Sequence, residues 1–180
     1  MPKYRMKRHA VVQPLDPSYR IIPLTRGQNT LVDTADYEWL NQWNWCALWN
    51  KYTQSFYAAR GKSVNGHTKA FQMAREILHC NPNENADHRN HDTLDNRRKN
   101  LRKATSLQNN NNQKIRSDNT SGYKGVSWNR SMKMWVARIQ HKGKRIFLGY
   151  FASAKKAALA YDNAAKKFHG EFAVLNLSHS

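Results

Sequence analysis

The sequence is short of cysteine, of carboxylates and of long apolar runs, and each shortage removes a class of protein. Its two cysteines, Cys46 and Cys80, stand alone and form no C-x-x-C pair. They fit buried thiols in a reducing compartment better than a disulfide framework. His79, Cys80, His88 and His91 are potential zinc ligands, but their spacing matches no tetrahedral Cys/His template. No stretch reaches the roughly 18 apolar residues a spanning helix needs. The charged residues 1–9 are not followed by the apolar segment of a signal peptide, so a soluble, intracellular protein is expected. The carboxylate shortage is the largest: 12 Asp and Glu face 30 Lys and Arg over 180 residues, a formal charge of +18. Such an excess makes a polyanion the natural partner, because each phosphate neutralised releases condensed counterions. Nothing supports a membrane surface in that role.

What is present is enough for two small cores. The chain is 39% hydrophobic and 11% aromatic, and its length accommodates one ordinary domain or two small ones. Residues 1–20 are basic and punctuated by Pro2, Pro14 and Pro17, and read as a loosely held arm. Residues 21–25 and 30–32 flank the turn Arg26-Gly27-Gln28-Asn29, a hairpin signal. Asp33 is placed to cap a short helix over 36–42, with strand-like runs at 45–49 and 55–60. Trp39, Trp43, Trp45 and Trp49 crowd this region and read as a small aromatic core. A helix is expected over 70–78, before the turn Asn81-Pro82-Asn83. The polar, Asn-rich stretch 109–121 contains an expected linker at 113–120. Beyond it, 124–128, 134–140 and 145–148 read as three strands. Ser153 then caps a helix to about Phe168, ended by Gly170. In that helix Ala154, Ala157, Ala158, Tyr161, Ala165 and Phe168 recur at helical spacing, with Lys155, Lys156, Asp162, Lys166 and Lys167 opposite. An amphipathic helix lying on one face of a three-stranded sheet is the simplest burial solution. No internal repeat is evident.

One segment holds chemistry. Asp87-His88 is followed by Leu94-Asp95-Asn96-Arg97-Arg98-Lys99-Asn100-Leu101-Arg102 and then by Thr105-Ser106-Leu107-Gln108 and four asparagines. Hydrolysing a phosphodiester needs a base near neutrality, which a histidine supplies, and a hard cation held by oxygen ligands, which Asp and Asn supply. Thr105 and Gln108 have the spacing of a capping box, so a helix should begin there and carry Asn109 and Asn112 on one face. Taken singly, these Asn and Asp residues also suit turns and caps. Jointly, DH…LDNRRxNLRxAT…QNxxN resembles the core of HNH endonucleases, in particular the phage and intron-associated homing class. The resemblance implies a ββα-metal unit with His88 as general base and Asn100 orienting the water. Asp87 and Asn109 would ligate Mg²⁺ (or Mn²⁺), with Asn112 as fallback, and Arg97 and Arg102 would support the loop and the phosphates. One departure stands out: Met73-Ala74-Arg75 occupies the place where relatives usually read Met-His-Arg.

The C-terminal third carries a second resemblance. Ser121-Gly122-Tyr123-Lys124-Gly125-Val126, Trp135-Val136-Ala137-Arg138-Ile139, Leu148-Gly149-Tyr150-Phe151, Ala157-Ala158-Leu159-Ala160-Tyr161-Asp162 and Ala173-Val174-Leu175-Asn176 together resemble an AP2 domain. The resemblance implies a three-stranded sheet set in the major groove with the helix packed behind it. Strand alternation separates the faces independently of the family: Trp135, Ala137, Ile139, Ile146 and Leu148 should meet the helix. Lys124, Ser127, Asn129, Arg138, Gln140, Arg145 and Phe147 should face outward, onto DNA. Ser127, Asn129 and Gln140 stand where plant transcription factors commonly have arginines, and Arg138 stands where an acid is common.

The expected fold is therefore α+β: a β-rich N-terminal part with a ββα-metal unit, then a three-stranded antiparallel sheet plus one helix. The expected divisions are an arm at 1–18, an endonuclease domain at 19–112, the linker at 113–120 and the AP2-like domain at 121–180. The function implied is metal-dependent cleavage of double-stranded DNA in the cytoplasm of a bacterial or phage-infected cell. The alternative is a DNA-binding regulator whose HNH core is inactive, for which Ala74 speaks. An RNA-binding protein fits the charge but not the C-terminal module.

Overall fold

The turn at Arg26-Gly27 has both residues at positive φ (59° and 67°) and folds β1 (Tyr19–Pro23) back on β2 (Asn29–Asp33). Alternation within this hairpin buries Ile22 and Val32. Helix α1 (Thr34–Asn41) follows directly. Asp33 is its N-cap residue, but its carboxylate accepts from the Arg98 backbone N–H (2.7 Å) and does not cap the helix. β3 (Cys46–Asn50), β4 (Ser55–Val64) and β5 (His67–Gln72) form an antiparallel sheet in the order β3-β4-β5. The helix expected over 70–78 is thereby shortened: 70–72 pair with 59–61 of β4, and α2 begins only at Met73 (Met73–Ile77). β6 (Asn85–His88) and β7 (Leu101–Ala104) make a second antiparallel pair, entered through a short 3₁₀ turn at Arg98–Asn100. Ile22, Leu24, Val32, Leu40, Trp45, Met73, Ile77 and Leu101 close one core. Trp45 is its largest member and donates its Nε1–H to the Leu40 carbonyl (2.8 Å). Trp43 and Trp49 are instead surface residues, 41% and 45% exposed.

Helix α3 (Ser106–Asn111) starts on the expected capping box, with Thr105 and Gln108 each accepting from the other's backbone N–H. The second sheet follows as β8 (Val126–Asn129), β9 (Met134–His141) and β10 (Lys144–Phe151), in the order β10-β9-β8 and antiparallel throughout. Lys142 and Gly143 (φ 46° and 76°) make the tight β9–β10 turn. Helix α4 (Ala154–His169) is capped by the Ser153 side chain, which accepts from the Lys156 N–H (3.2 Å), and ends at Gly170. Its buried stripe of Ala157, Ala158, Tyr161 and Ala165 meets Val126, Ala137 and Ile139 on the sheet.

This computed structural model describes residues 8–113, 115 and 118–177. The chain divides into two compact units, Met1–Ala104 and Thr105–Ser180, so α3 falls with the C-terminal unit, whereas the sequence reading set it with the first. Residues 1–7 of the expected arm and Lys114, Arg116 and Ser117 of the expected linker lie outside the described residues. The described part of the arm is held, because Gln13 both donates to and accepts from the backbone of Ile21 (3.0 and 2.9 Å). No helix among the described residues is long and apolar enough to cross a membrane.

Candidate nucleic-acid interface

The register of the C-terminal sheet sorts its side chains. Val126, Ala137, Gly149, Ile139 and Ile146 lie toward α4, while Arg145 is paired with Gln140 and Phe147 with Arg138 on the opposite face. Ser127, Val136 and Tyr150 form a cross-strand row on that same face, with Val136 itself buried at 1% exposure. The register shift between Phe147 and Gly149 is a bulge, and it reverses the alternation along β10. Tyr150 therefore shares the open face with Phe147, their rings meeting edge to face at 5.0 Å, 40% and 51% exposed. Simple alternation assigns Tyr150 to the buried side, and the sequence reading missed it for that reason.

Between Asp118 and Asp162 the chain has no carboxylate, so nothing on this sheet neutralises its cations. Among the described residues the side chains of Arg138, Arg145 and Gln140 have no hydrogen bond or ion pair, and Gln140 and Arg145 are exposed. Asn129 is partly committed, since its carbonyl oxygen accepts from the Met132 N–H (3.0 Å).

Lys124 departs from expectation. It precedes β8, and its ammonium is largely buried, donating to the carbonyls of Asn111 (2.7 Å), the last residue of α3, and of Gln113 (2.6 Å) just beyond it. Burial pulls its pKa down to about 8, so this lysine closes the end of α3 and does not stand on the open face. Around it, Asn176 accepts from the Lys124 N–H (2.7 Å) and donates to its carbonyl (3.1 Å). The Asp162 carboxylate accepts the N–H groups of Asn176 (2.8 Å) and Leu177 (2.9 Å). The tail is thus sewn to the start of the sheet. Gly125 (φ +73°) is pressed against the Tyr161 ring, where a Cβ would lie 2.2 Å from a ring carbon.

The Asp87–His88 segment is buried and internally satisfied. Asp87 and Arg102 are direct cross-strand partners on β6 and β7, with Arg102 Nε 2.7 Å from the Asp87 carboxylate and both residues buried. Arg102, expected to support the phosphates, is thus committed to Asp87 within the fold. Arg97 is bound to Asp95 by two donors at 2.7 Å and lies over the Tyr19 ring. Burial pushes the Asp95 carboxyl up, but the Arg97 side chain and backbone N–H, with Asn90, together hold it below its usual range. His88 is 6% exposed, with Nε2 3.2 Å from Asn96 Oδ1. Burial lowers its pKa against the opposing pull of Asn96 and Asp87. Asn96 in turn donates to Thr30 Oγ1 (2.8 Å). Asn100, also buried, ties the preceding loop together, donating to the Asp95 carbonyl (2.8 Å) and accepting from the Asn90 N–H (3.0 Å). The fold thus brings His88 and Asn96 together, while Asn109 on α3 falls in the other compact unit from Asp87. Among the described residues no three His, Cys, Asp or Glu side chains gather into a metal site.

The C-terminal sheet is thus basic, free of carboxylates and backed by one amphipathic helix. Residues 121–171 match the AP2 domain. The chain is 49% identical over 59 residues to dehydration-responsive element-binding protein 2E of Oryza sativa subsp. japonica, 32% of this chain and 18% of that protein. It is 48% identical over 66 residues to dehydration-responsive element-binding protein 2D of Arabidopsis thaliana, 35% of this chain and 32% of that protein. It is also 44% identical over 57 residues to the AP2-like ethylene-responsive transcription factor TOE2 of Arabidopsis thaliana, 32% of this chain and 12% of that protein. The chain thus spans a third or less of these relatives' lengths.

These findings overturn the enzymatic reading. The match is to an AP2 domain and the relatives are named as element-binding proteins and transcription factors, not as hydrolases, so the endonuclease and hydrolase assignment is withdrawn. The relatives are plant proteins and give no support to a bacterial or phage-infected setting.

Proposed function

We propose that this chain is a DNA-binding regulator whose AP2 domain lays the open face of β8, β9 and β10 against double-stranded DNA. The observation that carries the reading is the set of side chains on that face: Arg138 and Arg145, without a partner among the described residues, beside Gln140, and no carboxylate on the sheet. Arginine forks suit phosphates and the guanine edge, and Gln140 and Ser127 suit base edges in the major groove. Phe147 and Tyr150 supply exposed aromatic surface between them, fit for contact with thymine methyl groups or sugars. Asn129 completes the row from β8. The departures from the plant pattern at Ser127, Asn129, Arg138 and Gln140 mean that the sequence read differs from that of the plant relatives.

The test is selection of the full chain on a pool of random duplexes, followed by titration of the enriched duplex. An enriched motif is expected, and Arg138→Gln/Arg145→Gln should weaken binding and make the salt dependence shallower by about two in slope, one per lost phosphate contact. Gln140→Ala or Ser127→Ala should instead relax the motif at single positions, each good base contact being worth about 1–3 kcal/mol of discrimination. A pool without enrichment, or a double variant that binds like the parent, contradicts the proposal.

A further inference from the structure

The N-terminal unit has its own carboxylate-free stretch: no Asp or Glu occurs between Glu38 and Glu76. That stretch contains β4 and β5, and β3 pairs with β4 only as far as Ala59. Beyond Ala59 the two strands continue with each other alone, through Lys62↔Lys69, to the turn Asn65-Gly66, whose φ values of 51° and 76° match a tight hairpin turn. The result is a two-stranded ribbon extending about 20 Å past the sheet, at about 3.3 Å per residue. Residues 61–63 and 67–70 are exposed, so no part of the unit's core depends on their side chains.

The ribbon is chemically two-sided. Lys62, His67 and Lys69 share one face by register, with the Lys62 ammonium 6.0 Å from the Phe71 ring. Gly61, Ser63, Thr68 and Ala70 make up the other. Like charges directly opposite one another in an antiparallel pair are destabilising. Among the described residues neither Lys62 nor Lys69 has a carboxylate partner. At the ribbon's base Arg60 is already committed, paired with Glu76 at 2.9 Å and stacked on Trp43 at 4.1 Å. The two lysines therefore form an uncompensated cationic pair on a slender projection, and an external anion relieves their repulsion.

We propose that the β4–β5 ribbon is a second contact for double-stranded DNA, entering a major groove with Lys62 and Lys69 on its phosphates. A two-stranded ribbon fits the major groove of B-form DNA, whereas the deep, narrow major groove of A-form RNA excludes it. The contact adds affinity and length of site, and the AP2 sheet keeps the sequence preference.

The experiment compares the full chain with Lys62→Gln/Lys69→Gln and Arg138→Gln/Arg145→Gln on one selected duplex, by titration from 50 to 200 mM salt and by footprinting. Both lysines are exposed and repel each other, so the lysine variant should unfold at or slightly above the parent's temperature. The expected result is a salt slope shallower by about two, so that the parent's advantage over the variant shrinks about tenfold across this salt range. The footprint should shorten at one end with the selected motif unchanged. A lysine variant that matches the parent in slope and footprint, while the arginine variant loses binding, overturns the ribbon contact alone. A parent that binds no duplex DNA overturns both proposals. An equal loss on duplex RNA overturns entry into the B-form groove.

Discussion

Replacing Gly125 by alanine tests whether the AP2 unit is held together as described. The residue has φ +73°, and a Cβ would lie 2.2 and 2.3 Å from two Tyr161 ring carbons and 2.6 Å from the Arg138 carbonyl oxygen. The ring cannot retreat freely, because Tyr161 is buried between α4 and the sheet, as the rise of its phenol pKa to about 12 on burial also reflects. The carbonyl is backbone of β9, and Arg138 N–H donates to the Gly125 carbonyl at 2.8 Å. Gly122 provides an internal control: it has the same φ of +73°, yet nothing lies within 4 Å of its Cβ position. Gly122→Ala therefore adds only the left-handed backbone strain, about 1–2 kcal/mol, whereas Gly125→Ala adds overpacking of about 1–3 kcal/mol on top. In a unit of this size each kcal/mol moves Tm by about 4–8 °C, so Gly125→Ala should melt roughly 5–20 °C below Gly122→Ala. Calorimetry of the full chain reads the difference, and hydrogen exchange of the β9 amides assigns it to this unit. If the two variants melt within a few degrees of each other, the close approach of Gly125 to Tyr161 is wrong.

Further outcomes follow from the buried charges. Lys124 has its pKa pulled from 10.5 to about 8 by burial; the unfolded chain then holds the extra proton between those values, so stability of the C-terminal unit should rise from about pH 8 to about pH 10.5. Lys124→Met should flatten that rise in urea titrations, and an unaltered pH dependence would refute the assignment. His88 is held neutral, its pKa lowered by burial, so the N-terminal unit should lose stability as pH falls below about 6.5, where the unfolded chain takes up the proton first. His88→Gln should remove that loss, as measured by chemical denaturation at pH 5 and pH 7. Asp87→Ala takes away the carboxylate to which Arg102 donates and should cost about 3–5 kcal/mol; a variant as stable as the parent would mean the pair is dispensable.

The C-terminal module was readable because its signals are local. Ser153 and Gly170 mark the ends of α4, alanines at helical spacing mark its buried stripe, and the β9–β10 turn is spelled by Lys142-Gly143. Three features escaped because they depend on register or on distant partners. The bulge at Phe147–Gly149 carries Tyr150 to the open face. The carbonyls at the end of α3 that claim Lys124 lie more than ten residues upstream. Arg102 is spent on Asp87 only once β6 and β7 are in register. In the N-terminal unit, Asn65-Gly66 is the strong short-range hairpin signal that locates the ribbon, but the apolar residues after it read as the start of a helix. The nuclease reading had a different origin. It rested on motif resemblance, and an Asp-His followed by Asn and Arg is equally the material of the buried pairs and loop ties formed by Asp87, Asn96 and Asn100.

The most direct measurement incubates the full chain with a supercoiled plasmid carrying the selected site, in Mg²⁺ and in Mn²⁺. The same sample is followed by gel shift and by conversion to nicked circles. A DNA-binding regulator retards the plasmid at stoichiometric concentrations and leaves it supercoiled over hours. Nicked circles that accumulate with the parent chain and disappear with His88→Ala would contradict the account.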